Sequence, residues 1–100
     1  MPRVKLVTLA TLYEAAGGFE HWVEIPGEAT VLDAIRALAA RSERLRSELL
    51  DSDGRLLPEI TVLVDGRPVE AVGGLGARLR GGETIYLIPP AGGGAPKVLY

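Results

Sequence analysis

The chain contains no cysteine. That absence excludes disulfides, iron–sulfur clusters and thiolate zinc sites, and it removes a cysteine nucleophile from the choices. With one histidine, a multi-histidine metal site is excluded too. No surplus of charge stands out: the formal net charge is −2 with the two signs interspersed, so nothing predicts attraction to a phosphate backbone or an anionic bilayer. Neither nucleic acid nor membrane is expected as a partner. Long apolar runs are missing as well. The opening Met1-Pro2-Arg3-Val4-Lys5 leads into an apolar stretch that ends within a few residues, too short for a signal peptide or a membrane span. A cytoplasmic location is the simple expectation, with no bound metal or cofactor.

What is present fits one domain. One hundred residues can bury roughly 60–70% of the unfolded chain's surface without metal or disulfide. Residues 3–10 are rich in β-formers and read as a first strand, followed by small and polar residues at 11–16 and a turn at Gly17-Gly18. A second strand over 19–25 alternates, with Phe19, His21, Val23 and Ile25 on one face and Glu20, Trp22 and Glu24 on the other. Thr30 and Asp33 form a helix-start capping pair. Val31, Ile35, Leu38, Ala39, Leu45 and Leu49 then recur at helical spacing, which predicts one long helix over 31–50. Further strands are expected at 60–64, around Pro68, and at 84–88, with a tight turn at Asp65-Gly66. Pro89-Pro90 must end the last strand, because proline has no N–H to give the ladder.

A single apolar-striped helix can bury its stripe only across one face of the sheet, so the fold class is α+β in two layers. In this arrangement the last strand can pair in parallel with the first. Parity turns Val4, Leu6, Val23, Ile25, Val62, Val64, Ile85 and Leu87 toward the helix. The opposite face then holds Val7, Leu9, Trp22, Leu63, Tyr86 and Ile88, more apolar than a solvated sheet face usually is, which marks a partner surface with Trp22 and Tyr86 as anchors. His21 has no companion and reads as structural.

At this point the residues resemble a known family. The opening Val4-Lys5-Leu6-Val7-Thr8-Leu9-Ala10 with Thr11-Leu12-Tyr13-Glu14-Ala15-Ala16-Gly17 is similar to the start of the MoaD/ThiS-type sulfur carriers, closest to the molybdopterin synthase small subunits. So are Val31-Leu32-Asp33-Ala34-Ile35, Ile60-Thr61-Val62-Leu63-Val64-Asp65-Gly66, and the ending Gly81-Gly82-Glu83-Thr84-Ile85-Tyr86-Leu87-Ile88-Pro89-Pro90-Ala91-Gly92-Gly93-Gly94. The resemblance implies a β-grasp (ubiquitin-like) fold with a mixed sheet and one long helix across one face. It divides the chain into a folded domain at 1–90, a flexible glycine tail at 91–94 and an extension at 95–100. It further implies that the terminal glycine carboxylate is adenylated by a ubiquitin-activating-type adenylyltransferase, which uses ATP, and is converted to a thiocarboxylate. The sulfur then passes to the molybdopterin dithiolene in the large synthase subunit. Carried over by position, Gly94 reacts and Gly93 precedes it.

The ending suits such chemistry. An α-carboxyl, with a pKa of about 3.5, is ionised at neutral pH and can attack the α-phosphate of ATP. Pro89 and Pro90 fix a stiff exit, while Gly92, Gly93 and Gly94 lack a Cβ and can thread a narrow channel. The stretch beyond Pro90 reaches about 14 Å at ~3.5 Å per residue. An isolated glycine run would read as a linker; its place after a proline pair favours the reactive reading. Family members end at the second glycine, whereas this sequence continues through 95–100. Removal by a peptidase after Gly94 or Gly93 is the expectation. An appended remnant, or a relative that has lost the carrier role, stands beside it. Other outcomes on the same fold are a ubiquitin-like protein modifier, a sulfur donor for thiamine, tRNA or cysteine pathways, and a non-reactive interaction module.

Overall fold

A computed structural model describes residues 2–90. The elements run β1 Arg3–Thr8, α1 Thr11–Ala16, β2 Glu20–Glu24, α2 Val31–Ala39, α3 Glu43–Leu49, β3 Thr61–Val64, β4 Arg67–Pro68, a 3-10 turn Val69–Val72, and β5 Thr84–Ile88. They form one five-stranded sheet in the order β2-β1-β5-β3-β4. β1 and β5, the first and last strands, lie side by side and parallel, with Leu6 opposite Ile85 and Thr8 opposite Leu87. β2 flanks β1 and β3 flanks β5, both antiparallel. At Asp65-Gly66 both central residues take positive φ, 53° and 84°, the conformation that lets a two-residue turn follow the strand twist.

The alternation read from the sequence is the one the sheet uses. Val4, Leu6, Val23, Ile25, Val62, Val64, Ile85 and Leu87 are all buried, packed with Val31, Ala34, Ile35, Leu38, Leu45 and Leu49 from the helical layer. Each large side chain so buried contributes roughly 1.5–3 kcal/mol, and this layer is the principal source of stability. The capping pair is present in both directions: the Thr30 hydroxyl accepts from Asp33 N–H, and the Asp33 carboxylate accepts from Thr30 N–H.

The expected single helix over 31–50 is corrected to two. The chain tightens after α2, where Arg41 N–H donates to Leu38 and Ser42 N–H to Ala39. Ser42 is extended, with φ −153° and ψ 128°, and its hydroxyl accepts from Leu45 N–H at 3.2 Å as the cap of α3. The apolar stripe in fact pauses between Ala39 and Leu45, which is where the axis can change without uncovering the core. The break also lets Arg41 donate to the Trp22 carbonyl at 2.7 Å, tying the helical layer to the edge strand. A second difference is α1, a short helix where only small and polar residues were read; it ends on Gly17, left-handed at φ 79°.

β5 is anchored at its start by Glu83. Its carboxylate accepts from Arg80 N–H at 2.9 Å and Gly81 N–H at 2.8 Å. Gly81 has φ +116°, and a Cβ there would stand 2.8 Å from the Pro2 side chain, so glycine alone lets this turn lie against the chain's beginning. Partial burial works to raise the Glu83 carboxyl, but the Arg80 and Gly81 N–H donors outweigh it and hold the group below its ordinary 4.5. A depressed folded-state pKa stabilises the fold above the unfolded value, and the benefit disappears as pH falls through the folded value. Glu83→Gln is therefore expected to be less stable than wild type at pH 7, with the gap closing as pH falls below the carboxyl's ordinary 4.5 and through its lowered folded value in urea unfolding. Ser42→Ala should lose about 1 kcal/mol in the same assay; an unchanged midpoint would contradict the capped break.

Candidate functional site

The candidate site is the place where β5 delivers the chain out of the sheet. β5 lies between β1 and β3, so it is held on both sides up to Leu87, whose carbonyl accepts from Leu9 N–H at 3.2 Å. Pro89 is buried and Pro90 exposed. Both line a cleft of about 370 Å³ with Thr11 and Leu12 of α1, Ser47 and Glu48 of α3, and Leu57, Glu59 and Ile60 of the preceding loop. Pro89 is thus enclosed while Pro90 borders the open cleft, and the direction of the stem is set by the strand that precedes it. Gly92, Gly93 and Gly94, together with the rest of 91–94 and 95–100, lie outside the described residues.

The outer sheet face carries the expected apolar side chains, but in two groups. Val7, Tyr86, Leu63 and Pro68 stand directly opposite one another across β1, β5, β3 and β4, and Ile88 continues the strip beside Thr61. Leu63, Tyr86 and Ile88 are each partly exposed. Trp22 is not part of this strip. It sits on edge strand β2 opposite Lys5, with the Arg3 guanidinium 4.4 Å from its ring centre and the Lys5 ammonium 5.7 Å away. The charged cover follows from the alternation itself, because Arg3 and Lys5 share the outer face with Val7. Two anchors expected together are therefore a central apolar strip and a separate, cation-stacked edge.

Sequence reasoning passed over the turn beside the exit. Thr8 is the buried polar residue of the core, fully enclosed. Its hydroxyl donates to the Gly18 carbonyl at 2.6 Å and lies 3.1 Å from His21 Nε2, which is itself 3.0 Å from the same carbonyl. Thr8 N–H donates to the Phe19 carbonyl at 2.8 Å. His21 is thereby a structural hydrogen-bonding residue, as expected. This clasp fixes the turn on which Phe19 packs against Tyr13 with ring centres 4.2 Å apart. The available signal was the polar Thr8 at the end of an apolar strand, opposite two glycines. Among the described residues no group of histidine, cysteine, aspartate or glutamate side chains is placed to hold a metal ion, and no helix is long and apolar enough to cross a membrane.

A family model described as the ThiS family matches residues 7–94. The chain belongs to the ThiS family. It is 32% identical over 91 residues to small archaeal modifier protein 3 of Haloferax volcanii, covering 91% of this chain and 98% of that protein. It superposes on the crystal structure of small archaeal modifier protein 1 from the same organism with a TM-score of 0.81 at 34% identity, covering 92% of this chain and 99% of the other. A Pyrococcus furiosus structure, provisionally described as molybdopterin converting factor subunit 1, aligns with a TM-score of 0.72 at 26% identity over 90% and 99% of the two chains. The β-grasp, ubiquitin-like fold of the ThiS-family sulfur carriers is accordingly the fold of this chain. The family match ends on Gly94, the last residue of the glycine run that continues the β5 stem.

The clasp can be tested alone. Thr8→Val keeps the shape and removes the hydroxyl from the part-buried network it forms with the Gly18 carbonyl and His21, which should cost about 1 kcal/mol. Hydrogen exchange at the amides of the Gly17 to Phe19 turn should quicken more than at the β3–β5 ladder; uniform quickening would count against a local clasp.

Proposed function

We propose that this ThiS-family protein is a carrier whose reactive group is its own chain end, the carboxylate of Gly94 exposed after a peptidase removes residues 95–100. The observation that carries this reading is that the family match stops at Gly94 while the packed Pro89-Pro90 stem points the chain out of the sheet's centre. The fold then contributes a shape to be recognised and a rigid stem, and the partner contributes the catalytic groups. The Gly94 carboxylate oxygen attacks the α-phosphate of ATP in a ubiquitin-activating-type adenylyltransferase. Pyrophosphate leaves and a glycyl adenylate remains, whose carbonyl carbon is open to attack with AMP as leaving group. A sulfur nucleophile supplied by a partner turns it into a thiocarboxylate.

Two fates for the activated end are compatible with this chemistry. As the small subunit of molybdopterin synthase, docked to the large subunit, the thiocarboxylate would supply sulfur for molybdenum or tungsten cofactor synthesis. As a ubiquitin-like modifier, the end would be joined to lysines of other proteins. The likeness to two small archaeal modifier proteins favours the second fate, and the likeness to the Pyrococcus furiosus structure supports the first. In either case Leu63, Tyr86 and Ile88 offer the partner an apolar strip beside the stem, Pro89, Pro90 and Gly92 guide the tail, and Trp22 marks a polar rim.

Protein ending at Gly94 should support ATP–pyrophosphate exchange with the adenylyltransferase of its own organism, and the chain through Tyr100 should not, since a peptide carbonyl is no nucleophile toward ATP. Intact mass of material from native cells should then show the chain ending at Gly94, with a fraction heavier by ~16 Da where sulfur replaces oxygen. Full-length mass in active material would reject the processing step, and absence of exchange by the shortened chain would reject the carrier reading itself.

A further inference from the structure

The Tyr13–Phe19 pair is not used by the fold in any way that requires it to face outward. Tyr13 is 40% and Phe19 52% exposed, yet the rings pack on each other at 4.2 Å with their planes tilted by 54°. Their positions are set from below: the left-handed Gly17 returns its N–H to Tyr13 and Glu14 carbonyls, and the buried Thr8 holds Gly18 and Phe19. Holding two aromatic rings in water on a clasped turn gains little hydrophobic stabilisation within this chain. The turn also lies at the exit end. Leu12, next to Tyr13, lines the cleft that contains Pro89 and Pro90, and β2 begins there opposite Val7, one step from the end of β1.

Among the described residues the charge around this end is negative: Glu48 and Glu59 line the exit cleft and Glu14 stands on α1, with Arg44 the cation between them, while Glu20 and Lys5 pair on the outer face. Arg44 is divided between Glu14 at 3.9 Å and Glu48 at 3.4 Å. Lys5 meets Glu20 at 3.5 Å while also covering Trp22. These pairs are long and solvated, so they neutralise little. Elsewhere in the chain the exposed Trp22 is covered by the chain's own Arg3; among the described residues the cations stacked on aromatic rings lie over Trp22 and over neither Tyr13 nor Phe19.

From these observations we infer that Tyr13 and Phe19, with Glu14 beside Tyr13 on α1, form a second docking point that receives an arginine-bearing lip of the protein into which the tail is inserted. A guanidinium suits both halves of the site, stacking on a ring face while its edge donates to a carboxylate. A second copy of this chain would bring like carboxylates together, which opposes self-association. The inference rests on the carrier reading and deepens it: the outer strip and the aromatic turn grip the partner on two sides of one stem, so the tail enters in a single orientation.

The test uses protein ending at Gly94 and the adenylyltransferase of the same organism, with ATP–pyrophosphate exchange followed against carrier concentration at low and high salt. Tyr13→Ser/Phe19→Ser should raise KM for the carrier on the order of tenfold, while the rate at saturating carrier and the melting temperature stay near wild type. Glu14→Gln, which leaves the rings in place, should raise KM at low salt and flatten its dependence on salt. Wild-type KM values in both variants, with wild-type exchange intact, would overturn this inference and leave the carrier reading standing. A wild-type dimer dispersed by the aromatic double variant would also overturn it, assigning the rings to a second copy. No exchange by wild type would remove the carrier reading and this inference together.

Discussion

The parallel pairing of β1 with β5 is the constraint from which the rest of this molecule follows. Parallel neighbours cannot be joined by a tight turn, so everything between Thr8 and Thr84 must travel around them, as an edge strand, a two-part helical layer and the β3–β4 ribbon. The same pairing places the ends of both strands at one end of the sheet. The residues that follow β1, namely α1 and the Gly17-Gly18 turn, therefore surround the point where the chain leaves β5. A strand at the sheet's edge would not give the tail such a fixed origin; one bonded on both sides does, because its backbone groups are already committed to neighbours.

Two faces of this sheet serve different ends. The inner face is closed by Val4, Leu6, Ile85 and Leu87 against the helices, all at or near zero exposure. The outer face has no second layer among the described residues, yet Val7, Leu63, Tyr86 and Ile88 are apolar. Arg3, Lys5 and Glu20 charge the side toward β2 and keep that edge strand from offering a bare ladder to another chain. The apolar surface is thus confined to the middle of the sheet, alongside the stem, rather than spread to its edge.

Period-two alternation made the inner face legible from sequence, and the capping pair at Thr30 and Asp33 fixed where α2 begins. The helix break was not legible by periodicity, because Leu45 and Leu49 fall close to the stripe begun by Val31 and Ile35; Ser42 carried the information, as a capping residue inside a pattern that looked continuous. The surroundings of Trp22 were not legible for a related reason. Face parity was right, but parity says nothing of the neighbours, and Arg3 and Lys5 reach the ring only through the β1–β2 register. The aromatic turn escaped notice because Tyr13 and Phe19 lie on either side of a glycine pair, and α1 has too few residues to show a period. The glycine tail was read from the order of residues alone, and Gly92, Gly93 and Gly94 lie outside the described residues.

A carrier without catalytic side chains has to be specific through its surface. In the proposed reading its reacting group, a glycine carboxylate, is the same as on any chain with that ending, so selectivity would have to arise from the body that presents it. Here the presenting surface consists of an apolar strip in the sheet's centre, a proline stem beside an open cleft, and a clasped aromatic turn next to Glu14. Under the proposed docking the first would supply burial and tolerate a range of partners, and the last, charged and directional, would discriminate among partners with similar apolar mouths. Placing both on elements fixed by the β1–β5 pair keeps their separation constant. In the proposed reading the rigid body would carry recognition, and the catalytic groups would be the partner's to supply.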